Sequence, residues 1–330
     1  MKNPVTGRRI AIAVVILALI AVPYAIKETY YVNIASQFLL YAIFALGLNV
    51  LVGYAGLVSL GHAGLFGVAA YVLAYLLAAG YGHGVAILAA LAGGLVTTAG
   101  FAALALRATG ISFIMITLAL GEIIWGLAYR WISLTNGDNG ISVTTRPAPF
   151  GLSLASARGF YGATLVIFLL AIAACAIFVR SPLGAALCGT RDQPRRMNAL
   201  GYHVWMIRFW AFMFSGLLAS IAGILFVYYN QFISPQALAL TASAEGLLMV
   251  ISGGAGTLIG PVVGAALVVI VKNVVSAYVV RWNFMLGAIF VAIVVFMPEG
   301  LVPGAVRLTR SAWRATGRQK TAASLAVTKQ

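Results

Sequence analysis

Apolar stretches of roughly 20 residues, the length needed to cross a bilayer, recur along this chain from residue 10 to residue 298. Lipid offers no hydrogen bonds, so such stretches must satisfy their own backbone polar groups, which a helix does. The fold class that follows is an all-α, polytopic transmembrane helical bundle. A water-soluble surface normally needs about a quarter of its residues charged; here 8% are charged and 62% are hydrophobic, with a mean hydropathy of +1.03. Any soluble ligand-capturing or catalytic module therefore belongs to another chain.

The runs are read as about ten spans, near 10–26, 31–52, 57–79, 85–106, 110–132, 160–179, 209–230, 237–254, 256–280 and 283–299. MKNPVTGRR followed by an apolar run ending in AVPYA has the outline of a signal peptide. It is read as an uncleaved first helix, because further spans follow at once. Lys2, Arg8 and Arg9 precede that run, which places the N-terminus in the cytoplasm by the positive-inside rule. Ten crossings return the C-terminus to the same side. Of 21 Lys and Arg, 15 then fall in cytoplasmic segments, and Lys27, Arg130, Arg146, Arg158, Lys272 and Arg281 lie outside or near outer span ends. The weakest crossing, 237–254, contains Glu245, ends in glycines and is a candidate re-entrant half-helix. Without it the basic run Arg307, Arg310, Arg314, Arg318 and Lys320 would lie outside, against the rule.

The net charge of +15 is spread between spans and at the termini, so it reports orientation and not a nucleic-acid partner. Residues 1–307 are read as one transmembrane domain and 308–330 as a flexible basic cytoplasmic tail. Cys175 falls in a span and Cys188 in an inner loop, so neither is expected in a disulfide. The densest polar insert is 180–208, with five arginines and Asp192, which lipid cannot solvate. It must lie outside the bilayer, where a soluble partner can dock.

Two glycine-rich runs stand out. Residues 48–72 carry Gly53, Gly56, Gly61, Gly64 and Gly67; residues 247–270 carry Gly253, Gly254, Gly256, Gly260 and Gly264 around Pro261. At an offset of 200 positions Gly53, Gly56 and Gly64 meet Gly253, Gly256 and Gly264. Such spacing allows either close helix packing or broken helices lining a pathway, and Pro261 marks an interrupted span. Glu122 and Glu245 are carboxylates at membrane depth, costing about 2–3 kcal/mol or more unless they face the bundle interior or water. Each reads as a pathway group, a proton site or a helix–helix hydrogen bond. His62, His83 and His203 lie too far apart in this topology to form a metal site. No H-E-x-x-H helix or convergent acid–histidine set points to catalysis, and no G-x-x-x-x-G-K-[ST] phosphate loop is present.

The runs GLNVLVGYAGLVSLGHAGLFGVAAYV, TLALGEIIWGLAYRWISLTNGDNGIS, RDQPRRMNALGYHVWMIRFWAF and FISPQALALTASAEGLLMVISGGAGTLIGPVVGAAL together resemble the LivM-type permease subunits of branched-chain amino acid ABC importers. The resemblance implies a non-enzymatic subunit of the bacterial inner membrane that needs no cofactor of its own. Its partners would be a LivH-type second permease subunit, two cytoplasmic ATPase subunits that use ATP and Mg2+, a periplasmic substrate-binding protein and membrane lipid, with no nucleic acid. Residues 189–208 match the family's ATPase-coupling loop at Arg191, Asp192, Ala199, Leu200 and Gly201, with Gly201 placed to end a short helix. Where many relatives have acidic and small residues, this chain has Pro194, Arg195, Arg196 and Met197. Alternating access would pass substrate between the two permease subunits, along segments holding Gly53, Gly56, Gly61, Gly64, Glu122, Glu245, Gly253, Gly256 and Pro261. Importers of urea, short amides or other amino acids, and a proton-coupled carrier, remain the alternatives.

Overall fold

The computed structural model describes residues 19, 28–143, 156–276, 278, 282–297, 299–304 and 307. The expected first crossing (Leu19 apart), residues 144–155 of the outer loop and the tail 308–330 lie outside the described residues. Helix α1 (Thr29–Asn49) runs on into a π-helical turn, Val50–Ala55. There follow α2 (His62–Ala78), α3 (His83–Ala105), α4 (Ile111–Arg130), the single turn α5 (Ile132–Thr135) and α6 (Ala157–Arg180). Two short helices, α7 (Pro182–Asp192) and α8 (Pro194–Ala199), lead to the 27-residue α9 (Val204–Asn230). The chain continues with α10 (Leu240–Gly253), α11 (Gly260–Ile270) with its π-helical turn Val271–Val275, and α12 (Trp282–Phe296).

Among the described residues five helices are long and apolar enough to cross a membrane, and α2, α10, the joined α11 segment and part of α12 are shorter apolar helices. The protein is a multi-pass membrane protein. Helices α1 and α9 form its centre: α1 packs on α6, α9, α10 and α11, and α9 also packs on α2 and α3. Both are mostly buried, whereas α3, α4 and α6 leave large apolar side chains such as Val96, Met115 and Ile177 on the outside. That inside-out distribution is what a lipid solvent selects, because a tail-facing Val or Ile loses nothing by exposure.

Among the described residues, connections lie at both ends of α9. At one, β1 (Ile141–Ser142) pairs antiparallel with β2 (Phe232–Ile233), so the segment after α4 and the segment after α9 share a face. At the other, α7 and α8 precede α9, which at 1.5 Å per residue separates the two ends by about 40 Å. Ser181 caps α7 by accepting from the Gly184 N–H, with Pro182 at the first helical position, where its missing N–H costs nothing. The S-P-L-G sequence thus turns the chain sharply out of α6.

Three expected boundaries shift. The span read from residue 57 begins as helix only at His62, because the left-handed Gly56 (φ 69°) ends the π-helical turn and the Leu57 N–H returns to the Leu51 carbonyl at 2.8 Å. Pro261 does not interrupt a helix; it sits in the first turn of α11, and the break lies before it, at 254–259. The weak crossing 237–254 contains a helix of only 14 residues, about 21 Å long.

Close helix packing at α9 rests on small residues. A Cβ placed at Gly223 would strike the backbone carbonyl of Phe66 on α2, whereas at Gly100, exposed on α3, it would meet nothing. Gly223→Val should therefore force two central helices apart and lower stability by about 1–3 kcal/mol or more, read as a fall in thermal-denaturation midpoint of the detergent-solubilised protein. Gly100→Ala should leave the midpoint unchanged or slightly raised.

Candidate functional site

The glycine-rich runs and the arginine-rich hairpin meet at one place. The π-helical end of α1 brings Gly53 against Gly256 in the break between α10 and α11, so closely that a Cβ at Gly53 would overlap the Gly256 backbone. The contact is clamped by one side chain. Asn49, fully buried on the last turn of α1, donates from Nδ2 to the Thr257 carbonyl at 2.9 Å and accepts at Oδ1 from the Gly256 N–H at 2.9 Å. The break is closed further by Thr257, whose Oγ1 donates to the Gly254 carbonyl and accepts from the Gly260 N–H.

Arg191, near the end of α7, completes this junction. Its Nη1 donates to the Gly53 carbonyl at 2.7 Å, while Nε is paired with Asp192 at 2.9 Å. Its aliphatic stem lies on Gly56, where a Cβ would come within 2.5 Å of Cγ. Arg208 of α9 donates to the Thr190 carbonyl at 2.8 Å, tying the hairpin to the second central helix. Beyond Arg191 the hairpin is exposed: Asp192, Arg195, Arg196, Ala199, Leu200 and Gly201 all face outward, with Leu200 65% exposed. Gly201 adopts φ 86°, and the Tyr202 N–H bonds the Met197 carbonyl, the left-handed cap expected for ending the short helix α8.

The remaining sequence-derived residues divide. Gly61 and Gly64 lie where α2 crosses α4, Gly64 with its Cβ position 3.4 Å from the Gly121 Cα. Gly253 lies in the tight α10–α11 hairpin, against the Gly260 carbonyl. Glu122 is half-buried on α4, away from both the junction and the cavity described next. Glu245 does line a cavity, of about 360 Å3, walled by α1, α2, α9 and α10 and open toward the end that carries β2. There its carboxylate pairs with Lys272 on the π-helical turn after α11, at 3.1 Å. Among the described residues no three His, Cys, Asp or Glu side chains gather as a metal site.

Sequence reasoning missed Asn49 and the partnership of Lys272 with Glu245. For Asn49 a signal existed: a lone amide inside the apolar run FALGLNVLVG, which lipid would penalise unless it were satisfied. Asn49→Ala would leave the part-buried Gly256 N–H and Thr257 C=O without this partner, at a cost of up to about 1–3 kcal/mol for each group that water cannot reach. The expected result is a clear fall in thermal midpoint, together with faster hydrogen exchange at residues 254–258 by mass spectrometry.

The family described as "Branched-chain amino acid transport system / permease component" matches residues 30–294. The high-affinity branched-chain amino acid transport system permease protein LivM of Salmonella typhimurium is 33% identical over 82% of this chain and 70% of that protein. LivM of Escherichia coli K12 is 32% identical over 88% of this chain and 74% of that protein. The autoinducer 2 import system permease protein LsrC of Salmonella paratyphi B is 31% identical over 70% of this chain and 67% of that protein. No solved structure matches. On this similarity, and on a helical bundle that follows the expected order of spans, the chain belongs to the family of branched-chain amino acid transport permease components.

Proposed function

We propose that this chain is the membrane subunit of an ATP-driven importer of branched-chain (leucine, isoleucine, valine) or related hydrophobic amino acids. It sits in the bacterial inner membrane with both termini cytoplasmic. The partners on this reading are a second permease subunit, two ATPases that bind ATP and Mg2+ on the side of α7 and α8, and a substrate-binding protein at the face of β1 and β2. The chain itself performs no chemistry. LivM relatives support the amino-acid substrate, and the LsrC relatives support a shared importer mechanism across substrates.

The observation that carries the reading is the Arg191–Gly53 hydrogen bond. It joins an exposed basic hairpin, suited to docking a soluble partner, directly to the backbone where α1 meets the break between α10 and α11. Force applied by an ATPase at Arg195, Arg196 and Leu200 then reaches two central segments of the bundle without an intervening flexible loop. Alternating access follows if the Gly53–Gly256 contact changes as the hairpin moves, opening a passage at the interface with the partner permease.

Two substitutions separate docking from transmission in proteoliposomes holding the full importer. Gly201→Ile places a β-branched residue at φ 86°, so α8 should lose its end and the ATPases their grip: copurification of the ATPases falls severalfold while membrane insertion is normal. Arg191→Ala leaves the docking surface in place, so copurification should persist while uptake per ATP hydrolysed falls about tenfold. Unchanged uptake per ATP in Arg191→Ala would refute the transmission route.

A further inference from the structure

The outer cavity holds a feature that packing does not account for. Glu245 and Lys272 form an ion pair between neighbouring elements, with side chains 22% and 31% exposed to the cavity. A partly buried ion pair is weak evidence for stability, since desolvation offsets much of the attraction and an apolar pair of similar volume does as well. In a bundle this poor in charge, it needs another reason to be there.

We propose that this cavity is a binding site for a zwitterionic apolar amino acid in transit, with the Lys272 ammonium taking the ligand's carboxylate and the Glu245 carboxylate taking its ammonium. The inference rests on the amino-acid reading above and specifies where and how the solute is held. The other walls suit an aliphatic side chain: Phe44, Phe66 and Phe226 form an edge-to-face series with centroid separations of 5.4 and 5.2 Å, and the Tyr41 ring lies 6.0 Å from Lys272 Nζ. At about 360 Å3 the space falls within the roughly 300–1,000 Å3 of small-molecule sites.

The charge arithmetic favours a zwitterion over either single ion. In the empty site Glu245 and Lys272 neutralise each other. When an amino acid enters, its two charges replace that internal pairing with two external ones, so no uncompensated charge is buried at any stage. A carboxylate alone competes with Glu245 for Lys272, and an amine alone competes with Lys272 for Glu245, without bringing the second charge that replaces the broken pairing. The site can therefore fill and empty at small cost in desolvation, as a transport site must.

The test is ligand titration by saturation-transfer NMR on the full importer in nanodiscs without its binding protein, using leucine, leucinamide and 4-methylpentanoate. In the unmodified protein both single-charge analogues should bind at least tenfold more weakly than leucine. Lys272→Met should remove the preference for leucine over leucinamide and keep that over 4-methylpentanoate; Glu245→Gln should do the reverse. Equal binding of all three ligands by the unmodified protein would overturn the proposal without relying on any variant. So would variants that change all three affinities in parallel, the signature of a merely structural pair. An importer that takes up leucine in vesicles yet shows unaltered ratios defeats this site alone, whereas one that takes up no amino acid defeats the functional reading beneath it.

Discussion

A helix that stops at membrane depth exposes backbone N–H and C=O groups that lipid cannot satisfy, so the protein itself must supply every partner. The clamp of Asn49 on Gly256 and Thr257 supplies such partners where the break between α10 and α11 meets the end of α1. The Gly53 carbonyl is satisfied by Arg191, a residue of the exposed hairpin. These bonds tie α1, the α10–α11 break and the hairpin into one hydrogen-bonded unit, so separating any of the three leaves polar groups without partners.

Two π-helical turns lie at the two places described above. One, Val50–Ala55, carries Gly53 into the junction; the other, Val271–Val275, carries Lys272 to the cavity. A π turn inserts an extra residue into the helical ladder and commonly occurs at functional sites.

Much of this was legible in the sequence, for reasons that are local. The long apolar runs and sparse charges dictate a helical bundle, and Gly201 announces the end of α8 through capping chemistry. The glycine runs were visible as density, but their partners were not: Gly53 and Gly256 meet across about 200 residues of chain, and nothing local to either names the other. The helix start at His62 was missed for a different, local reason: residues 57–61 are mostly apolar and look helical, but Gly56 turns left-handed and the chain leaves the helix there. Pro261 was visible as a breaker, yet whether a proline interrupts a helix or begins one depends on the preceding residues finding other partners, as Thr257 does. Glu245 and Lys272 each stood out singly; their pairing is a property of how α10 and α11 fold back on each other.

The junction and the cavity are not independent, because the same helices build both. Phe44 on the cavity wall and Asn49 at the junction are separated by about 8 Å of α1, and Gly260 and Lys272 by about 18 Å of the α11 segment, at 1.5 Å per residue. A displacement of the hairpin strong enough to strain the Arg191–Gly53 bond acts on α1 directly, and through Asn49 on the start of α11. Both helices are packed along their length and cannot absorb the movement by bending freely, so their far ends move with their near ends. On the proposed reading, those far ends are the aromatic wall and the ammonium that hold the solute. On that reading the backbone clamp and the solute site are mechanically linked, because the helix that carries Tyr41 and Phe44 packs directly on the α11 segment that leads to Lys272.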